Sequence, residues 1–236
     1  MIHQPPDALA APRFTGPRTY ARLPHVSSLE GAHAAVFGMP WDGGTSFRSG
    51  ARFGPEAVRS ASGMIRTYNA VQRVQVFGEL STIDYGDAQT VPGYIEDTLA
   101  RIEAFVRPIA ESGVVPLGMG GDHSVALAEL RALAAVHGPL GLVHIDSHTD
   151  LWDTYNGRPY SHGTMFRRAI EEGAISGEDH VRGELGEVLA GMAPGRGDAE
   201  ELTVFRSLGL AVEDLAAAER AVSRARALGI GTEVAW

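Results

Sequence analysis

Apolar and polar positions fall along the chain in blocks. Ala34–Met39 (AAVFGM) is a short, uniformly apolar run that stops at Pro40, and it predicts a buried strand. A glycine-rich loop follows at Trp41–Gly50 (WDGGTSFRSG). Pro55 then opens a helix through about Ser62, with proline at a helix-compatible first position and Glu56 in the first turn. Ser81–Tyr85 predicts a second strand, which runs into Asp84 and Asp87. Tyr94–Ser112 spaces Ile95, Leu99, Ile102, Phe105, Val106 and Ile109 as one face of a helix. Gly113–Gly118 predicts a third strand, Val125–His137 an Ala/Leu-rich helix, and Leu140–Ile145 a fourth strand of the fully buried kind.

Uniformly apolar strands alternating with helices predict a parallel α/β sheet. Chemistry in such sheets collects at the carboxyl ends of the strands. Three predicted ends carry polar clusters: Asp84/Asp87, Asp122/His123 and Asp146/His148/Asp150. The last lies in His144–Asp150 (HIDSHTD). Residues two apart in extended backbone share a face, so Asp146, His148 and Asp150 are expected to point the same way. Three unpaired polar groups there would be costly to bury. A divalent metal would neutralise the carboxylates and use the imidazole, and His123, from Gly120–Ser124 (GGDHS), could add a fourth ligand. Oxygen and imidazole donors without sulfur favour Mn²⁺ or a similar ion, with Zn²⁺ possible. The competing reading is a hydrogen-bonded polar network in a loop. The two motifs together, each after an apolar strand, favour the metal. His144 is expected to be a supporting or core histidine.

Composition narrows the chemistry. The 236 residues suit one large domain, or one with a small appendage. The net charge of −9 argues against nucleic-acid binding through a basic surface. With no cysteine and no lysine, thiol nucleophiles, sulfur–metal sites, Schiff bases and P-loop lysines are excluded. No apolar run reaches the ~18 residues of a membrane span. Met1–Pro24 is proline-rich, lacks a secretory apolar core and reads as an extended arm, so a cytoplasmic location is expected.

From about residue 34 to 173 the chain resembles the ureohydrolase family of arginases, agmatinases and guanidinobutyrases. The resemblance rests on Trp41–Pro55, Gly120–Ser124, His144–Asp150 and Ser161–Thr164 (SHGT), and its wording is nearer the agmatinase branch. It implies a three-layer αβα fold with a mainly parallel, arginase-like sheet. It also implies two Mn²⁺ ions, with His123 and Asp150 on one, His148 on the other and Asp146 bridging. His162 resembles the histidine that shuttles a proton beside the substrate. The implied reaction is hydrolysis of a guanidino compound, of the agmatine or guanidinobutyrate class, to urea and an amine. The implied assembly is a homo-oligomer without nucleic-acid or membrane partners. Substrate choice is expected to depend on mouth loops that include Leu151–Tyr160.

The chemistry suits these residue types. A guanidinium carbon is a poor electrophile, and a metal pair can bring the pKa of water from 15.7 toward about 7. The departing amine needs a proton, which a histidine can give.

The family pattern also has a later Asp-x-Asp pair, and no such pair follows Gly173. Instead, residues of about 178–236 resemble the carboxyl end of ornithine cyclodeaminase/mu-crystallin proteins, through His180–Gly191, Pro194–Arg196 and Glu201–Leu215. Leu202–Phe205 is a strand candidate there. Val212, Leu215, Ala216 and Val222 form a helical stripe that Gly229 ends. No NAD site is assigned, because the nearest G-x-G, Gly118 and Gly120, has His123 at the third glycine position. The expected organisation is an arm (1–33), an incomplete ureohydrolase-like domain (34–175) and a cyclodeaminase-like strand–helix appendage (176–236), an apparent fusion. Alternatives to a working agmatinase-like enzyme are an impaired remnant that binds metal weakly and an NAD-dependent cyclodeaminase-type protein.

Overall fold

Ala34–Met39, six residues without a charge, form strand β1, and every one of them is buried. The structure, a computed structural model, describes residues 2–142, 144, 146, 148–176, 192, 223, 224 and 227. After β1 come α1 (Gly54–Ser62), β2 (Tyr68–Asn69), β3 (Val74–Gln75), α2 (Val76–Glu79) and β4 (Thr82–Asp87). Then follow α3 (Ile95–Glu111), β5 (Val115–Gly120), α4 (Ala126–His137) and α5 (Met165–Glu171). The residues fall into two units. One comprises Met1–Leu142 with Asp150–His180, the other Val143–Thr149 with Val181–Trp236.

In the first unit β1 is the middle strand of a parallel sheet in the order β4–β1–β5. Its side chains alternate between two apolar clusters. Ala35, Phe37 and Met39 join the large core built with α3 and α4, whereas Val36 packs with Ala21, Leu23 and Phe77. Both faces are therefore covered, which explains the uninterrupted apolar run. Gly38 lies where α1 crosses the sheet: a Cβ there would sit 2.7 Å from Cβ of Pro55. On α3, the fully buried Leu99, Ile102, Val106 and Ile109 recur at the expected three- and four-residue spacing.

The strand expected over Ser81–Tyr85 runs on to Asp87. The pairing with β1 skips Tyr85, a bulge that lets Gly86 (φ 89) and Asp87 continue the strand. The strand expected over Gly113–Gly118 begins two residues later, because Gly113 (φ 73) still belongs to the turn after α3. The strand expected over Leu140–Ile145 is a correction. Among its described residues only Leu140 pairs, in an isolated bridge to Ile175. The backbone of Leu140 bonds the segment after α5, donating to Ala174 O and accepting from Ser176 N–H. The arm is not merely extended: Tyr20–Arg22 form a 3-10 turn, and Ala21 and Leu23 are buried.

In the second unit Ser223, Arg224 and Ala227 are helical. The expected strand Leu202–Phe205, and the stripe Val212, Leu215, Ala216 and Val222 with its stop at Gly229, lie outside the described residues. No described helix is long and apolar enough to cross a membrane.

Candidate functional site

The carboxyl end of β5 runs straight into the Gly120–Ser124 turn. Gly121 and Asp122 continue the pairing with the β1 edge by donating to Met39 O (3.2 Å) and Trp41 O (2.7 Å). Position 121 needs glycine, because a Cβ would meet the carbonyl oxygens of Met39 and Trp41. Asp122 then caps a 3-10 turn over His123–Val125, accepting from Ser124 N–H at 2.9 Å and from the Ser124 hydroxyl. Its other oxygen accepts from Gly44 N–H (2.7 Å) and from Thr45 Oγ1 (3.3 Å). One side chain thus ties the glycine-rich loop to the turn that carries His123.

His123 Nδ1 donates to Asp150 Oδ2 at 2.7 Å, across 27 residues of sequence. The ring stands edge-on to Phe166, 5.3 Å between centroids, and Phe166 N–H donates to Asp150 O (3.3 Å). Asp150 has φ 53, a left-handed backbone that aspartate tolerates better than most residues.

Four buried aspartates of this unit lie at strand ends or in the adjoining loops, and their hydrogen bonds sort them. A carboxylate has roughly four acceptor positions. Asp84 accepts from Arg59 Nε, Arg59 Nη2, Tyr20 N–H and Gly86 N–H, all between 2.8 and 3.0 Å. Asp122 has the four donors given above. Asp42 accepts from Gly50 N–H (2.6 Å), Arg52 N–H (3.4 Å) and Arg52 Nε (2.6 Å), and pairs with Arg52 Nη2. The Arg52 bond holds the Asp42 carboxyl below the usual carboxylate range, against the opposing effect of burial. Asp150 differs. Its side chain is only 7% exposed, yet among the described residues the side chain accepts from His123 alone. A buried carboxylate with unused lone pairs beside an imidazole is a cation-ready pair.

The geometry fits a metal. Freed of the shared proton, the pair offers one nitrogen and one oxygen ligand atom to a cation.

The segment Val143–Thr149 brings a second group together. His144 Nε2 and His148 Nδ1 each lie 3.6 Å from an Asp146 oxygen, and His148 N–H donates to Asp146 Oδ1 at 3.0 Å. Among its described residues, Asp146 and His148 lie in bends. The His148 side chain is 78% exposed. His144 and Asp146, like His123 and Asp150, each offer one potential ligand atom, so His144, expected to be a supporting or core histidine, joins the candidates.

His162 is fixed by the glycine-rich loop. Its Nδ1 donates to Gly44 O at 2.6 Å and its backbone N–H donates to the same oxygen at 3.3 Å. That bond makes Nδ1 the protonated nitrogen of the neutral ring and leaves Nε2 able to take up a proton. Tyr155 packs edge-on against this ring at 5.5 Å, and Trp152 stacks on Tyr155 at 5.2 Å. Neither aromatic stands out in the sequence. Their signal, two rings three residues apart in the Leu151–Tyr160 loop, has no periodicity to mark it.

The Arginase family profile matches residues 32–188, well over half of the chain, and the Ornithine cyclodeaminase/mu-crystallin family profile matches residues 162–228. Guanidinopropionase of Pseudomonas aeruginosa is 46% identical over 173 residues, 73% of this chain and 54% of that protein. Mitochondrial agmatinase of Gallus gallus is 44% identical over 171 residues, 72% of this chain and 50% of that protein. Among solved structures, proclavaminate amidinohydrolase of Streptomyces clavuligerus superposes with a TM-score of 0.67 at 39% identity, covering 70% of this chain and 55% of that one. The chain spans about half the length of the curated relatives it matches.

Proposed function

Because the chain belongs to the arginase family, we propose that it acts as a metal-dependent ureohydrolase of the agmatinase type, cleaving a guanidino compound to urea and an amine. The observation that carries this reading is the His123–Asp150 pair, a buried carboxylate held 2.7 Å from an imidazole and with acceptor capacity unused among the described residues. His123 and Asp150 would hold one ion, His148 a second, and Asp146 would be shared. The O/N donor set suits Mn²⁺. When bound, such a pair supplies an activated water at neutral pH.

The chain's own residues do the rest. Asp122 and Asp42 hold the loop and the turn that carry the site. His162, fixed through Nδ1, presents Nε2 to give the leaving amine its proton. The Trp152/Tyr155 stack beside it offers an aromatic face to a cationic guanidinium. A cytoplasmic homo-oligomer acting on a small guanidino substrate completes the proposal.

One observation favours a second reading, a metal-binding domain without turnover. No Asp-x-Asp follows Gly173, and residues 162–228 match the cyclodeaminase family instead. One experiment tests both: metal content by elemental analysis beside urea release from agmatine, guanidinobutyrate and guanidinopropionate. Two equivalents of Mn²⁺ with urea release is the expected result. Substoichiometric metal without urea supports the second reading, and no Mn²⁺ binding at all overturns both.

A further inference from the structure

We propose that the cleft between the N-terminal arm and the β2–β3 hairpin binds a small oxyanion, a carboxylate or phosphate carried on a compact apolar body. The cleft has a volume of about 450 Å³, within the range of about 300–1,000 Å³ typical of small-molecule sites. Arg13, Arg22 and Arg66 line it, and Asp7 is its single acid, in a protein whose net charge is −9. Asp7 already accepts from Leu9 N–H at 2.9 Å.

The arginines have work left to do. Nε of Arg13 and Nε of Arg22 are both buried and, among the described residues, have no hydrogen-bond partner. A buried donor in that state is costly and is normally paired. The same two arginines line the cleft with Arg66, and guanidinium groups there match the planar, bidentate oxygens of a carboxylate or phosphate.

The backbone supports the placement. Ala21 (φ 50) and Arg22 (φ 61) are successive left-handed residues with side chains, a conformation that L-residues disfavour. It is held by Ala21 N–H donating to Ser62 Oγ (2.8 Å) and Leu23 N–H donating to Tyr20 O (2.9 Å). Sparsely populated backbone of this kind collects at ligand clamps. Pro6, Leu9, Ile65 and Phe77 supply the apolar part of the wall, which suits a ligand with a hydrocarbon portion. None of these residues belongs to the His/Asp site, so the proposal stands apart from the ureohydrolase reading.

The test is calorimetric titration of the full chain with inorganic phosphate and, separately, with n-butyrate, at constant ionic strength. Saturable binding of at least one probe is expected, weakened about tenfold or more in Arg13→Gln and in Arg66→Gln. Arg66 is exposed, so its variant carries the test if Arg13→Gln fails to fold. A phosphate response alone identifies a phosphate-type ligand, and a butyrate response identifies an apolar carboxylate. Absence of saturable binding for both probes, or binding unchanged in a folded variant, overturns the proposal.

Discussion

The carboxyl ends of β4 and β5 both present aspartates, and they do opposite things with them. At β4, Asp84 and Asp87 close around one guanidinium. Arg59 reaches Asp84 through Nε (2.8 Å) and Nη2 (2.9 Å), and Asp87 through Nη1 (2.6 Å). Asp84 has no lone pair left to give. At β5, the saturated carboxylate is Asp122, and it braces the turn. The carboxylate that meets His123 is Asp150, which is buried and, among the described residues, accepts through its side chain from His123 alone. A polar strand end is therefore no guide to function by itself. What separates a structural ion cluster from a ligand site is whether the protein supplies the countercharge. Arg59 does so at β4. At β5 the described donors leave room for a cation.

The largest effect that would break this contrast is at Arg59. Replacing it by methionine leaves two carboxylates at the end of β4, one of them only 1% exposed. Breaking a buried pair by removing one partner costs about 3–5 kcal/mol. Urea denaturation of Arg59→Met should show a loss of that order. A loss below about 1 kcal/mol would mean that the β4 cluster is as dispensable as a surface ion pair.

The same cluster sets a smaller, pH-dependent effect. Burial alone would raise the pKa of Asp84. The hydrogen bonds from Arg59, Tyr20 N–H and Gly86 N–H outweigh it and leave the folded-state value below the ordinary 3.8. A depressed folded pKa contributes stability above the unfolded value, and that stability is lost as pH falls through the folded one. Wild-type stability should thus decline once the pH drops below about 4. In Arg59→Met only burial and the backbone donors remain, so the decline should flatten or reverse. Denaturation midpoints between pH 6 and pH 3 check this, and parallel curves for the two proteins would count against Arg59 as the source.

Such a division between clusters was only half legible in the sequence. β1 was readable to the residue, because burial on both faces removes every polar interruption. Helices α3 and α4 were readable because a long amphipathic or apolar run outvotes local ambiguity. The two-residue strands β2 and β3 and the four-residue α2 are too short to show a period, and α5, seven residues long, went unassigned. The motifs GGDHS and HIDSHTD announced their chemistry through residue type and spacing. The partner that neutralises Asp84 did not announce itself, since Arg59 comes from the helix before it and meets it only through the sheet crossing. Within HIDSHTD the described residues depart from a straight strand: Asp146 lies in a bend and accepts from His148 N–H, and Asp150 adopts a left-handed conformation.

The finest test of the contrast is Asp122, which is saturated like Asp84 but serves the site. Asparagine has one acceptor oxygen where aspartate has two, and its amide nitrogen would face either Ser124 N–H or Gly44 N–H donor to donor. Either the cap of the His123 turn or the anchor of the Gly44 loop is lost. His162 hangs on the same loop through Gly44 O. Residues that orient metal ligands typically cost 10–100-fold in metal affinity or activity when changed. Asp122→Asn should accordingly weaken Mn²⁺ binding by about 10–100-fold. Asp42→Asn, which loosens the same loop at its Arg52 end, should lower thermal stability and leave Mn²⁺ affinity nearer wild type. Competition titration with a metallochromic chelator reads the affinities directly. Equal affinity losses in the two variants would show that loop integrity alone is being measured, and that Asp122 has no specific part in aiming His123 toward Asp150.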